Sequence, residues 1–175
     1  MKNWQTRKAK IVHQNPWFQI NQNDVIRPDG SLGQYFILET KGASVFVVVV
    51  NTQNEVLLIG QERYANGTFS WEIPGGNSEG EDPLHAAKRE LVEETGVEAK
   101  TWINLGISYP MNGLSSEKSY TFIAKDITQN TINHQLEEGI TRSQWVTPAK
   151  AFEMIKKGEI TDNQTITGLT KAFVV

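Results

Sequence analysis

Cysteine is absent from this 175-residue sequence, which excludes disulfides, thiolate metal sites and a thiol nucleophile. Redox chemistry therefore sets no compartment. Long apolar runs are absent as well. No stretch reaches the roughly 20 residues that a membrane-spanning helix needs, and the opening Met1-Lys2-Asn3-Trp4-Gln5 lacks the apolar core of a secretory signal. The expectation is a cytoplasmic protein with no membrane partner. A basic excess is also missing, since 17 Lys and Arg against 20 Asp and Glu leave a net charge of -3. That balance speaks against nucleic acid as a partner, because such binding draws on many Lys and Arg contacts to phosphates. A local basic pocket for phosphates stays compatible with it. No repeat, low-complexity tract or linker divides the chain, and its length suits one domain over residues 1–175.

What is present reads as alternating strands and helices. Lys10 to His13, Trp17 to Ile20 and Tyr35 to Glu39 predict short strands, the last entered from the turn Arg27-Pro28-Asp29-Gly30-Ser31. Ser44 to Val50 is continuously apolar and β-branched, the pattern of a strand covered on both faces. Asn51 to Asn54 forms a hairpin loop into a strand from Val56 to Gly60, and Trp71-Glu72-Ile73 predicts a strand ending in the turn Pro74-Gly75-Gly76. Trp102 to Tyr109, Ser119 to Ala124 and Gln144 to Val146 supply further strands. Pro148 opens a helix through Lys157 that Gly158 stops, and Asn163 to Ala172 forms a last one. The periodicity by itself supports an α+β class.

The densest chemistry lies between residues 75 and 97. Asp82-Pro83 starts a helix, because Asp caps free N–H groups and Pro suits the first helical position. Gly96 sits just past its end. At roughly 100° per residue, Leu84, Ala87 and Leu91 share one sector, and Glu90, Glu93 and Glu94 share the next. Three acids there repel at about 0.2–0.5 kcal/mol per close pair and oppose the negative end of the helix macrodipole. A bound divalent cation reverses both effects. Mg²⁺ takes a few carboxylates plus substrate phosphates and keeps several waters. Taken alone, three glutamates on a helix read as a solvated acidic face, so the case for a site rests on the surrounding residues.

Those residues are Gly75, five more, Glu81, seven more, then Arg89-Glu90-Leu91-Val92-Glu93-Glu94-Thr95-Gly96-Val97. The pattern resembles the complete signature box of the Nudix hydrolases. Counted from Gly76, only four residues precede Glu81, so the match begins at Gly75 and the loop reads one residue short. The resemblance implies an α/β/α sandwich around a mixed β-sheet. It also implies metal-dependent hydrolysis of a diphosphate linked to a nucleoside, with Mg²⁺ as the cation and Mn²⁺ as an alternative. By the same resemblance Glu90 and Glu94 are metal ligands, Glu93 is a ligand or an outer partner, and a carbonyl from Gly75 joins them. Glu81 steadies Arg89, which orients the helix carboxylates.

Outside the box, Tyr109-Pro110-Met111-Asn112-Gly113-Leu114-Ser115-Ser116-Glu117 resembles a loop of the ADP-ribose pyrophosphatases and related nucleotide-sugar hydrolases, with Pro110 slightly closer to the box than usual. Residues 1–40 resemble the N-terminal strand extension with which that branch dimerises and completes its nucleoside pocket. This implies a homodimer in which Trp17, Phe18 or Tyr35 stacks a base, although aromatics usually serve packing first. Gln61-Glu62-Arg63-Tyr64 resembles the stretch that places an arginine near the phosphates, a task suited to the forked donors of Arg63 and equally compatible with a surface ion pair. The general base is left among the box acids (Glu93 included), Glu137, Glu138 and Glu117. His13, His85 and His134 share no metal-ligand spacing. Two alternatives stay open, hydrolysis of nucleoside triphosphates or dinucleoside polyphosphates, and a noncatalytic nucleotide-binding module. The second usually lacks box glutamates, all of which are present here.

Overall fold

The structure, a computed structural model, describes residues 3–129, 135, 137 and 139–174. The first layer is an antiparallel sheet of β1 (Gln5–Gln14), β2 (Phe18–Ile26) and β3 (Leu32–Thr40), in that spatial order. All ten residues of β1 are exposed. The strand buries neither face within this chain, which is why apolar alternation marked only part of it and the expected Lys10 to His13 grew at both ends.

The body of the molecule is built around β4 (Ser44–Val49), in a sheet of order β7-β4-β9-β8 with β7 (Gly75–Asn77), β8 (Val97–Ser108) and β9 (Ser119–Gln129). β4 runs parallel to β9 and antiparallel to β7, so the sheet is mixed. A second, antiparallel sheet orders β10 (Ile140–Val146), β5 (Val56–Arg63) and β6 (Thr68–Glu72), and a bridge between Val50 and Val56 connects the two.

Side chains alternate across a strand, and β4 shows the result. Val45, Val47 and Val49 pack with Ala86, Ala87 and Leu91 of helix α1 (Pro83–Thr95). Val48 and its successor Val50 pack instead with Met154 of α2 (Pro148–Lys157), Leu169 of α3 (Asn163–Phe173), Ile73 and Ile160. One apolar run therefore serves two cores, and helices on both sides make the α/β/α sandwich of an α+β fold with N-terminal strands. Leu91 is fully buried, and shortening such a side chain to Ala costs roughly 2–5 kcal/mol.

The helix boundaries follow local chemistry. The Asp82 side chain accepts from the Leu84 and His85 amides at 3.0 and 3.2 Å, and Gly96 closes α1 in the left-handed region with φ of 68°. Thr147 and Gly158 cap α2 in the same manner. Most strands run longer than expected, and two departures have a local cause. Gly75 and Gly76 lie in β7 rather than a free turn, because a residue without Cβ can approach the Val45 carbonyl, to which an added Cβ at Gly75 would come within 2.3 Å. β8 begins at Val97 rather than Trp102, its polar first half hidden from any apolar pattern by Glu98, Lys100 and Thr101. Among the described residues no helix is long and apolar enough to cross a membrane.

Candidate active site

The box acids occupy graded positions on α1. Glu94 is buried, the Glu90 side chain is 13% exposed and that of Glu93 is 35% exposed. Burial without compensation would be costly for a carboxylate. Glu94 Oε2 accepts the Gly75 amide at 2.8 Å. Glu90 lies against Gly76, where an added Cβ would come within 2.4 Å of the carboxylate carbon. Two acids from successive turns of the helix thus converge on two adjacent glycines of β7. Of Gly75, the contact seen here is its amide.

Arg89 forms the hub of the same corner. Its guanidinium reaches Glu93 at 2.8 Å, Glu90 at 3.0 Å and Glu81 at 3.7 Å, and it donates to the Asn77 carbonyl at 3.1 Å. Partial burial alone would lower the Arg89 pKa, but the charge of Glu90, then the hydrogen bond and charge of Glu93 and the charge of Glu81, outweigh it and raise the value. The acid repulsion expected from the sequence is therefore softened by an arginine on the same helix. Glu81 is the loosest of the three partners. His85, 83% exposed in its side chain, stands on the outer side of α1.

Arg63, at the end of β5, pairs with Glu72, the last residue of β6. Its Nε donates to Glu72 Oε1 at 2.9 Å and one terminal nitrogen donates to Oε2. The hydrogen bond to Glu72 raises the Arg63 pKa, burial opposes it, and the charges of Glu72, Asp162 and Glu94 add to the rise. Arg63 thus lies within electrostatic reach of the box acid Glu94. Glu72 and Asp162 were missed in the sequence. The available signal for Glu72 was a carboxylate set between Trp71 and Ile73 in a strand whose hairpin partner ends in Arg63.

A cleft of about 520 Å³ lies between β3 and the loop after β8, lined by Tyr35, Ile37, Tyr109, Asn112, Leu114 and Lys118 among others. Its lining includes no box acid. A short path nevertheless connects the two: Asn77, whose carbonyl holds Arg89, stands opposite Ser44, whose hydroxyl donates to Glu117 and whose amide donates to the Lys118 carbonyl. Tyr35 donates its hydroxyl to the Gly113 carbonyl at 2.6 Å and stacks edge-on with Trp4. Trp17 is elsewhere, 75% exposed, and Phe18 faces His13 with ring centroids 5.7 Å apart. Of the three aromatic candidates, only Tyr35 lines this cleft. Glu137 is exposed; Glu138 and His134 lie outside the described residues.

The donor set can be tested against a divalent cation. Among the described residues no three His, Cys, Asp or Glu side chains are gathered tightly enough to hold a metal by themselves. Glu90 and Glu94 beside a glycine strand are a two-carboxylate set. That set fits a hard cation which keeps waters and takes substrate oxygens, as Mg²⁺ does, and suits a fully protein-caged ion poorly.

Two family models match the chain. Residues 40–168 match the NUDIX domain, and residues 4–38 match the nucleoside diphosphate sugar hydrolase N-terminal domain. The chain belongs to the Nudix family and is a Nudix hydrolase related to ADP-ribose pyrophosphatases. Nudix hydrolases generally use divalent metal ions and act on nucleoside diphosphate-linked substrates. An ADP-ribose pyrophosphatase of Mycobacterium tuberculosis is 27% identical over 98% of this chain and 84% of its own. A CMP-5'-(N-acetyl-N-hydroxy-3-aminopropyl)phosphonate hydrolase of Streptomyces rubellomurinus is 25% identical over 95% of this chain and 80% of its own. A crystal structure of an ADP compounds hydrolase superposes with a TM-score of 0.86 at 17% identity, covering 98% of this chain and 93% of that one, which is a likeness of fold.

Proposed function

We infer that the protein hydrolyses the diphosphate linkage of ADP-ribose or a related nucleotide sugar with the help of a divalent cation. The observation that carries this reading is the convergence of Glu90 and Glu94 on Gly75 and Gly76 within electrostatic reach of Arg63. In this reading Glu90 and Glu94 hold Mg²⁺, or Mn²⁺, together with a Gly75 carbonyl, and Glu93 is a further ligand or an outer partner. When bound, the cation supplies neutralisation of phosphate charge and a lowered pKa of its water.

The chain's own groups do the rest. Arg89 keeps Glu90 and Glu93 aligned at the corner, and Arg63 donates to a phosphate oxygen of the substrate. A carboxylate takes a proton from the attacking water as the phosphorus–oxygen bond of the diphosphate breaks, a role worth about 10²–10⁴ in rate. Glu137 or Glu138 fills that role, with Glu93 as the box alternative. The cleft beside Tyr35 has a volume within the usual range for small-molecule sites and suits the nucleoside. In this reading Trp17 and Phe18, which do not line that cleft, meet a base across a homodimer. The exposed Ile11, Val12, Leu32 and Phe36 of the N-terminal sheet, with Trp4 just before it, support such pairing.

A product screen with Mg²⁺ and Mn²⁺ over ADP-ribose, other nucleoside diphosphate sugars, dinucleotides and triphosphates tests the substrate. Release of AMP from ADP-ribose is expected. Turnover of triphosphates alone would overturn the reading. Single and double Glu→Gln variants at 137 and 138 test the base, which returns to the box acids or Glu117 if all of them keep wild-type turnover. Light scattering tests the dimer, and a fully active monomer would sink it.

A further inference from the structure

We propose that Glu72 is a positioning residue for substrate binding, one that sets the orientation of Arg63 and thereby the affinity of the site for a diphosphate. This rests on the reading of Arg63 as a phosphate ligand. Glu72 stands opposite Ile59 and Arg63 opposite Thr68, so the two residues share one face of the β5–β6 hairpin, four positions apart. Across that span the arginine side chain reaches back to the acid. Both oxygens of the buried carboxylate are engaged by Nε and one terminal nitrogen of the guanidinium. A two-point grip of this kind fixes the plane of the guanidinium, which a single contact does not.

The second terminal nitrogen, Nη1, makes no hydrogen bond to a described residue, and the Arg63 side chain is 47% exposed. Arg63 therefore keeps a donor available while its guanidinium is held by two bonds. Stability alone gives a weak account of the pair, because an apolar residue at the position of Glu72 would bury at least as favourably as an ionised one. Place supplies the better account. Glu72 is followed directly by Ile73-Pro74-Gly75, the segment that leads into β7, where Glu94 is held at the Gly75 amide. One short stretch thus registers both the arginine and the box carboxylates, and the spacing between them is set by β6 and β7 rather than by flexible loops. Asp162, at the cap of α3, adds its charge from a third element.

The test is a double-mutant cycle on the full chain with Mg²⁺, read as KM and kcat for ADP-ribose and as Kd for ADP, which keeps the diphosphate and lacks the terminal ribose. Arg63→Lys keeps the charge and loses the fork. Glu72→Gln keeps size and one acceptor. We expect each to raise KM and the ADP Kd about tenfold, the worth of one charge-assisted hydrogen bond, with kcat within about threefold. The double variant should lose no more than Arg63→Lys alone, because Glu72 acts through Arg63. Should Glu72→Gln fold poorly by thermal melting, Glu72→Met, of similar volume and without charge, replaces it in the cycle. A normal KM and Kd in either Glu72 variant, or losses that simply add, would overturn the positioning role while leaving Arg63 as a ligand. Normal values in Arg63→Lys, or a wild type that neither cleaves ADP-ribose nor binds ADP, would remove the reading beneath it and the proposal with it.

Discussion

Helices α1 and α2 are capped alike and charged in opposite ways. Each has proline in its first turn, a side-chain cap accepting backbone amides, and a left-handed glycine at its end. The last turn of α2 carries Lys156 and Lys157, which complement the negative end of the macrodipole. The last turn of α1 has no basic residue, and Glu93 and Glu94 stand there instead. By charge alone each acid costs about 0.3–1 kcal/mol. Local rules are thus obeyed throughout α2 and broken at one end of α1, and the break coincides with the glycine strand and the arginine hub. Departures of this kind from local helix chemistry are expected at functional sites, where stability is not what the residues serve.

The widest separation between the two helices should come from Glu94→Gln. Glutamine can still accept the Gly75 amide, so melting should hold or rise slightly, whereas turnover should fall about 10³-fold, corresponding to several kcal/mol of lost charge stabilisation. Near wild-type turnover at saturating Mg²⁺ would end the assignment of Glu94 as a ligand. Gly76→Ala comes next. Its methyl group meets the Glu90 carboxylate, and displacing a site group by about 1 Å can cost around 10²-fold. Circular dichroism should report an intact fold, and unchanged kinetics would show that Glu90 has room to move without consequence.

Cation removal probes the same contrast through stability. Mg²⁺ at about 100 times its dissociation constant should add roughly 2.7 kcal/mol by linkage, raising the melting temperature of the wild type and of α2 variants but much less that of Glu94→Gln. Equal shifts in all three would place the cation elsewhere. The smallest effect belongs to α2, where Glu153 bonds Lys157 and Lys150. The hydrogen bonds to Lys157 and then Lys150 hold the Glu153 carboxyl below its ordinary value. Its contribution is therefore present above the unfolded-state pKa and lost as the pH falls through the folded one. Glu153→Gln should lower melting slightly at pH 7, make no difference in strong acid, and leave turnover unchanged. Any change in kcat would blur the division between a structural and a functional helix.

Much of this division was legible in the amino-acid order. The ends of α1 and α2, the apolar run of β4 and the spacing of Glu81, Arg89, Glu90, Glu93 and Glu94 are written in residues whose preferences act over one or two helical turns. Local patterns therefore determined the helices, the doubly covered strand and the family. The tertiary structure alone decided that Gly75 and Gly76 form a strand, since a residue without a side chain leaves no alternating pattern to read. It decided the burial order of Glu94, Glu90 and Glu93, which depends on how α1 lies against β7. It also decided that Arg63 meets Glu72, that Tyr35 and not Trp17 lines the cleft, and that β1 runs ten residues along an open edge. Each of these is set by contact between elements distant along a face or along the chain, and propensity carries no information about which surfaces will meet.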